Sequence, residues 1–123
     1  MVTKLKDRRS YIKYIRKMIK EVFPAWEETE SAYEELPNNR FYINFKYLNN
    51  KIIFVSERAD LFLDIYDFDN LINKGDNFYD LILENIPGQD SRWRLSLCTE
   101  LIDYYIEYLK VYFKNKDNDN LNK

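Results

Sequence analysis

The residues best placed to do chemistry lie in one short run, Asp64-Ile-Tyr-Asp67-Phe-Asp69. Its carboxylates are the hard oxygen ligands that Mg²⁺, Mn²⁺ and Ca²⁺ prefer. The spacing departs from a calcium-binding helix–loop–helix, because the sixth loop position holds no glycine and the twelfth no glutamate. A metal site here would need ligands from distant residues, and no metal or cofactor is expected. The chain contains no histidine. That removes Ser-His and Cys-His nucleophile pairs, mixed Cys/His zinc sites and histidine acid–base pairs. Carboxylates, Lys, Tyr and Ser remain, and no recognisable acid–base partner accompanies them, so no catalytic residue is expected. The lone cysteine, Cys98, allows no internal disulfide and lies on an apolar helical face, where it reads as a small buried hydrophobe.

Charge is the stronger signal. Residues 1–20 hold eight basic groups and one acidic group, a balance of +7. Residues 21–36 hold six acidic groups and no basic one, and residues 57–90 hold nine acidic and two basic. The overall −2 therefore conceals strong polarity. Lys6, Arg9, Lys13, Lys17 and Lys20 form a basic ridge that suits the phosphates of a nucleic acid. The competing reading is a solvated helix face balanced by the glutamates that follow. In the acidic block, Asp60, Asp64, Asp67, Asp69, Asp76 and Asp80 suit a basic partner protein by charge complementarity, or else serve as helix caps and solubilising groups.

Tyrosine occurs eleven times. Most of these rings fall on stripes expected to be buried, whereas Tyr42, beside Lys46, is the candidate base-stacking ring. Tyr104, Tyr108 and Tyr112 widen the apolar face of the last helix and are candidates for a partner or homodimer interface.

The elements that must position these groups follow from periodicity. Tyr11, Ile12, Ile15, Met18, Ile19 and Val22 form one face of an amphipathic helix that Pro24 ends. Pro24 also suits the first turn of a second helix, with Glu27 and Glu28 at its positive end and Trp26, Thr29, Tyr33 and Leu36 as its buried stripe. From Arg40 the period becomes two, and two runs flanking Asn49-Asn50 predict a hairpin with Phe45 opposite Phe54 and Tyr47 opposite Ile52. Leu61–Tyr66 reads as a third strand more readily than as a helix. Asp67 or Asp69 then caps a short helix through Lys74, stopped by Gly75, and Asp76 or Asn77 caps another to Ile86. The last helix should begin at Asp90 or Ser91 and run to about Asn115.

The expected fold is thus α+β: an N-terminal helical pair, a hairpin or three-stranded meander, and a helical C-terminal half with one long final helix. It should occupy residues 1–116 as a single α+β domain, with a disordered polar tail at 117–123. No stretch approaches the roughly 20 apolar residues of a membrane span, and no secretory signal is visible, so a cytoplasmic location without a membrane partner is expected. Abundant Asn, Lys, Ile and Tyr with scarce Gly and Pro fit a low-GC bacterium, or a phage or mobile element within one. Small, polarised, histidine-free domains suit non-enzymatic inhibitor or immunity proteins that cover a partner's site. That function, anti-defence or toxin-neutralising, is the leading expectation, and nucleic-acid binding through the basic N-terminal helix is the alternative.

Overall fold

The computed structural model describes residues 3–34, 40–57, 60–68, 70–73 and 97–121. Helix α1 spans Arg8–Val22. Asp7 caps it, accepting from the Ser10 amide and hydroxyl, each at 2.8 Å. Tyr11, Ile12, Ile15 and Ile19 are buried, and Phe23 closes the helix by donating its amide to the Ile19 carbonyl at 2.7 Å.

The expected second helix is absent. After a turn at Pro24-Ala25, Glu27–Glu34 forms strand β1, antiparallel to β2 (Arg40–Tyr47). Helix propensity among Glu, Ala and Ser is worth only tenths of a kcal/mol per residue, whereas a strand here satisfies the backbone groups along one edge of β2. Between Glu28 and Glu30 the partner advances by one residue, so Thr29 is an extra residue and Glu28, three positions from Ser31, shares its face.

Strand β3 (Asn50–Glu57) pairs with β2, but through a turn at Leu48-Asn49 rather than Asn49-Asn50. Phe45 therefore opposes Ile52, and Ile43 opposes Phe54. The shift keeps the parity, so Phe41, Ile43 and Phe45 still point inward, and the Phe45 and Phe54 rings meet edge-on with centroids 6.3 Å apart. Strand β4 (Asp60–Asp67) buries Leu61, Leu63 and Ile65. The expected short helix after it is instead strand β5 (Asn70–Asn73), paired back on β4 with Asp67 opposite Asn70. So few residues before Gly75 make a costly helix nucleus, while pairing extends an existing sheet. The helix expected at 76–86 lies outside the described residues.

The five strands form an antiparallel meander in the order β1-β2-β3-β4-β5. Helix α2 (Thr99–Leu121) starts later than Asp90 or Ser91 and continues past Asn115. It lies with α1 on the inner face of the sheet. Leu101, Ile102, Tyr105, Ile106 and Leu109 are buried there, and the Tyr105 hydroxyl donates to the Leu61 carbonyl at 2.8 Å. The class is α+β, but the architecture is a five-stranded sheet under two helices, not a helical pair, a hairpin and a helical half.

The N-terminal segment straps the start of α2. Both Glu100 carboxylate oxygens accept from the Thr3 amide at 2.9 Å, the Thr99 amide donates to the Thr3 carbonyl at 3.1 Å, and Lys4 Nζ donates to the Leu97 carbonyl at 2.8 Å. Partial burial pushes the Glu100 pKa up, but bonds from Thr3, from its own amide and from the Thr99 hydroxyl outweigh it and hold the group at about 2, against an ordinary 4.5. A depressed carboxyl pKa stabilises the fold above the unfolded value and ceases to do so as pH falls through the folded one. Melting temperature should therefore fall between about pH 4.5 and about pH 2 in the native chain, and Glu100→Gln should flatten that limb. Identical pH profiles would show that the strap does not hold the carboxylate.

Candidate functional site

At the end of the sheet where β2 meets β3 and β4 meets β5, the two turns stand side by side. The Phe68 amide donates to the Asn49 carbonyl at 2.6 Å, joining one turn to the other. The first residue of each turn, Leu48 and Phe68, has positive φ, at 53° and 55°. Gly, Asn or Asp normally takes such a position, and a bulky residue there costs roughly 1–2 kcal/mol. Both side chains are nonetheless turned to solvent, 71% and 64% exposed. Residues held in such backbone regions cluster at functional sites, which makes this pair a candidate.

Behind this pair opens a cleft of about 770 Å³ between the turns, the end of α1 and the side of α2. Aromatic rings wall it. Trp26 and Phe113 meet edge-on at 5.0 Å, Tyr47 lies 5.9 Å from Trp26, and Phe23 contacts both Trp26 and Phe113 at 6.1 and 6.4 Å. Lys110, Lys114, Asp67, Asn49 and Asn50 supply its polar lining. A smaller hollow of about 250 Å³ on the other side of Leu48 and Phe68 is lined by Lys46 and Lys51. Lys51 stands 4.6 Å above the Tyr66 ring. The arrangement can hold a planar apolar group and counter a negative charge beside it.

The residues singled out from the sequence are dispersed. Asp60 and Asp64 alternate with the buried residues of β4 and so belong to the outer face, whereas Asp67 lines the cleft. Asp69, Asp76 and Asp80 lie outside the described residues. Lys6, ahead of α1, and Arg9, Lys13, Lys17 and Lys20 along it are exposed, but the Arg9 guanidinium stands 5.2 Å above the Tyr33 ring of β1. On the same helix Arg16 makes a bidentate pair with Glu28 at 2.8 and 2.9 Å, which lowers the Glu28 pKa. The acids that balance the basic helix thus come from a strand. Tyr42 belongs to the outer face, where its hydroxyl donates to Glu30 at 2.6 Å, and Lys46 lies on that face too, so the sheet separates both from α1. Tyr104, Tyr108 and Tyr112 are half-buried against the core, Tyr108 and Tyr112 stacking at 6.3 Å, and Val111 is the more exposed neighbour at 59%.

Among the described residues no cluster of His, Cys, Asp and Glu gathers in metal-binding geometry. Burial pushes up the Cys98 thiol and the Tyr105 phenol, and burial with the bond to Asp103 raises Tyr14 to about 12. Those shifts keep protons on, the opposite of an activated nucleophile. No described helix is long and apolar enough to cross a membrane. The chain matches no family model, no curated protein and no solved structure.

The sequence reading missed Phe23, Trp26, Leu48, Phe68, Lys110, Phe113 and Lys114 as a site. One signal was available: Tyr47-Leu-Asn-Asn50 and Asp67-Phe-Asp-Asn70 each place a bulky apolar residue directly before an Asn or Asp between two β-rich runs. If the strain at Leu48 serves a surface, removing it should stabilise the fold. Leu48→Asn should raise unfolding free energy by about 0.5–1 kcal/mol and Leu48→Val should lower it, read from denaturant midpoints at constant slope. A loss in Leu48→Asn would show that the leucine contributes to packing.

Proposed function

We propose that the chain is a non-enzymatic protein-binding protein of the inhibitor or immunity type, which acts by covering a partner's site with the tip of its sheet. The observation that carries this reading is the pair Leu48 and Phe68, both left-handed and both exposed at the mouth of an aromatic cleft. Protein interfaces are anchored by a few large apolar side chains seated in pockets with a polar rim, and the tip supplies both an apolar ridge and a pocket. The hydrogen bond from Phe68 to Asn49 ties the two turns together, which reduces the ordering cost of association. The upward tyrosine and cysteine shifts agree with a binding role rather than a chemical one. The setting in a phage or mobile element rests on composition alone.

Nucleic-acid binding ranks second. The exposed Lys13, Lys17 and Lys20 favour it, while the engagement of Arg9 and Arg16 with β1 and the separation of Tyr42 and Lys46 onto the other face count against a continuous track.

Affinity capture from cells that carry the gene separates the two. A stoichiometric protein partner should be retained by the native chain and by Lys13→Glu/Lys17→Glu, and lost by Leu48→Glu/Phe68→Glu with its melting temperature preserved. Recovery of nucleic acid that the lysine variant alone abolishes would reverse the order.

A further inference from the structure

We propose that the cleft receives an aromatic side chain of the partner protein flanked by carboxylates. This rests on the protein-binding reading above and names the chemistry that the tip would recognise.

The aromatic part of the occupant follows from the walls. Trp26 and Phe113 are inclined at 61° and Tyr47 is tilted 40° from Trp26, so the cleft presents ring faces and ring edges together. An incoming ring can then pack offset on one wall and edge-on to another, the arrangements that ring quadrupoles favour. A volume of about 770 Å³ admits such a ring with its neighbouring residues.

The charged part follows from the rim. Lys110 and Lys114 line the cleft, and Lys46 and Lys51 line the hollow beyond Leu48 and Phe68. Asp67 is the acidic residue among the described ones lining the cleft. Among the described residues that line the two hollows, four lysines thus stand against one carboxylate, in a chain whose net charge is −2. Lys110 pairs with Glu107 at 3.2 Å, but with side chains 48% and 68% exposed that pair is weak and leaves the lysine able to meet another anion. Apolar anchors with opposite charges around them give both affinity and orientation, so the matching partner surface carries carboxylates beside its ring.

A nucleobase with its phosphate offers a ring and an anion as well. A strand leaving the tip across the outer face would leave Lys46 and Lys51 behind and run on past Glu30, Asp64, Glu57 and Asp60, four carboxylates against Arg40, which together repel a polyanion. The geometry favours the protein side chain.

The test is an NMR titration of the isotope-labelled full chain with acetyl-Trp-Glu-Glu-amide, acetyl-Trp-Gln-Gln-amide and a 5′-phosphorylated dithymidine. Shifts are expected at the Trp26 indole, at Tyr47 to Asn50, at Phe68 and at Lys110 to Lys114, with the Glu peptide binding about tenfold tighter than the Gln peptide, the scale of two partly exposed ion pairs. In Lys110→Glu/Lys114→Glu, both surface positions, the preference should move to acetyl-Trp-Lys-Lys-amide. Equal affinity for the Glu and Gln peptides, binding of no peptide, shifts elsewhere on the protein, or tighter binding of the dinucleotide would overturn the proposal. If it is overturned while Leu48→Glu/Phe68→Glu still loses the captured partner, the protein-binding reading survives and only this chemistry fails. If capture is unaffected as well, both fail.

Discussion

An antiparallel meander has one apolar face that must be covered, and the rest of this structure follows from how that is done. Phe41, Ile43, Phe45, Ile52, Phe54, Leu61, Leu63 and Ile65 line the inner face of three adjacent strands. Tyr105 is the residue that seats α2 on them: its ring meets Phe54 at 6.4 Å and its hydroxyl reaches the Leu61 carbonyl. Burying the phenol hydroxyl without such a bond would cost about 1–3 kcal/mol, a large part of what burying the ring contributes. With α2 fixed over the middle strands, α1 covers the β1 side, where contacts become polar: Arg16 to Glu28 and Ser31, and Arg9 over Tyr33.

The cover ends before the sheet does. Helix α1 closes at Phe23, and the turns at Leu48 and Phe68 project past it, so the aromatic residues at that end are shared between core and surface. Trp26 and Phe113 are half-buried for that reason, and the cleft is where two helices and two turns fail to meet. Strain in the turns and exposure of their side chains point the same way: the sequence tolerates a cost at this end that an ordinary hairpin avoids by using Gly or Asn.

The α+β class and the faces of α1, β2, β3 and β4 were legible because burial imposes a clean period on them. Strand β1 was not, since Glu, Ser and Ala favour a helix locally and the bulge at Thr29 makes its apolar spacing ambiguous. Strand β5 was not, because Asp67 and Asp69 resemble helix caps as readily as turn residues. The charged groups attracted a functional reading through their density, yet the sheet divides the acidic set between its outer face and the cleft and divides Tyr42 and Lys46 from α1. Residues of the cleft come from four stretches distant in sequence, 22–26, 47–50, 67–68 and 110–114, and only the tertiary fold brings them together.

The central claim is that the sheet tip, not the basic helix or the acidic face, is the surface that meets the partner. Hydrogen–deuterium exchange of the chain with and without its captured partner tests it most directly, because each candidate surface lies on different amides. The account predicts slowed exchange at Tyr47 to Asn50 and at Phe68, with α1 from Arg8 to Lys20 unchanged. Protection confined to α1, or to the Asp60–Asp64 stretch, would contradict it.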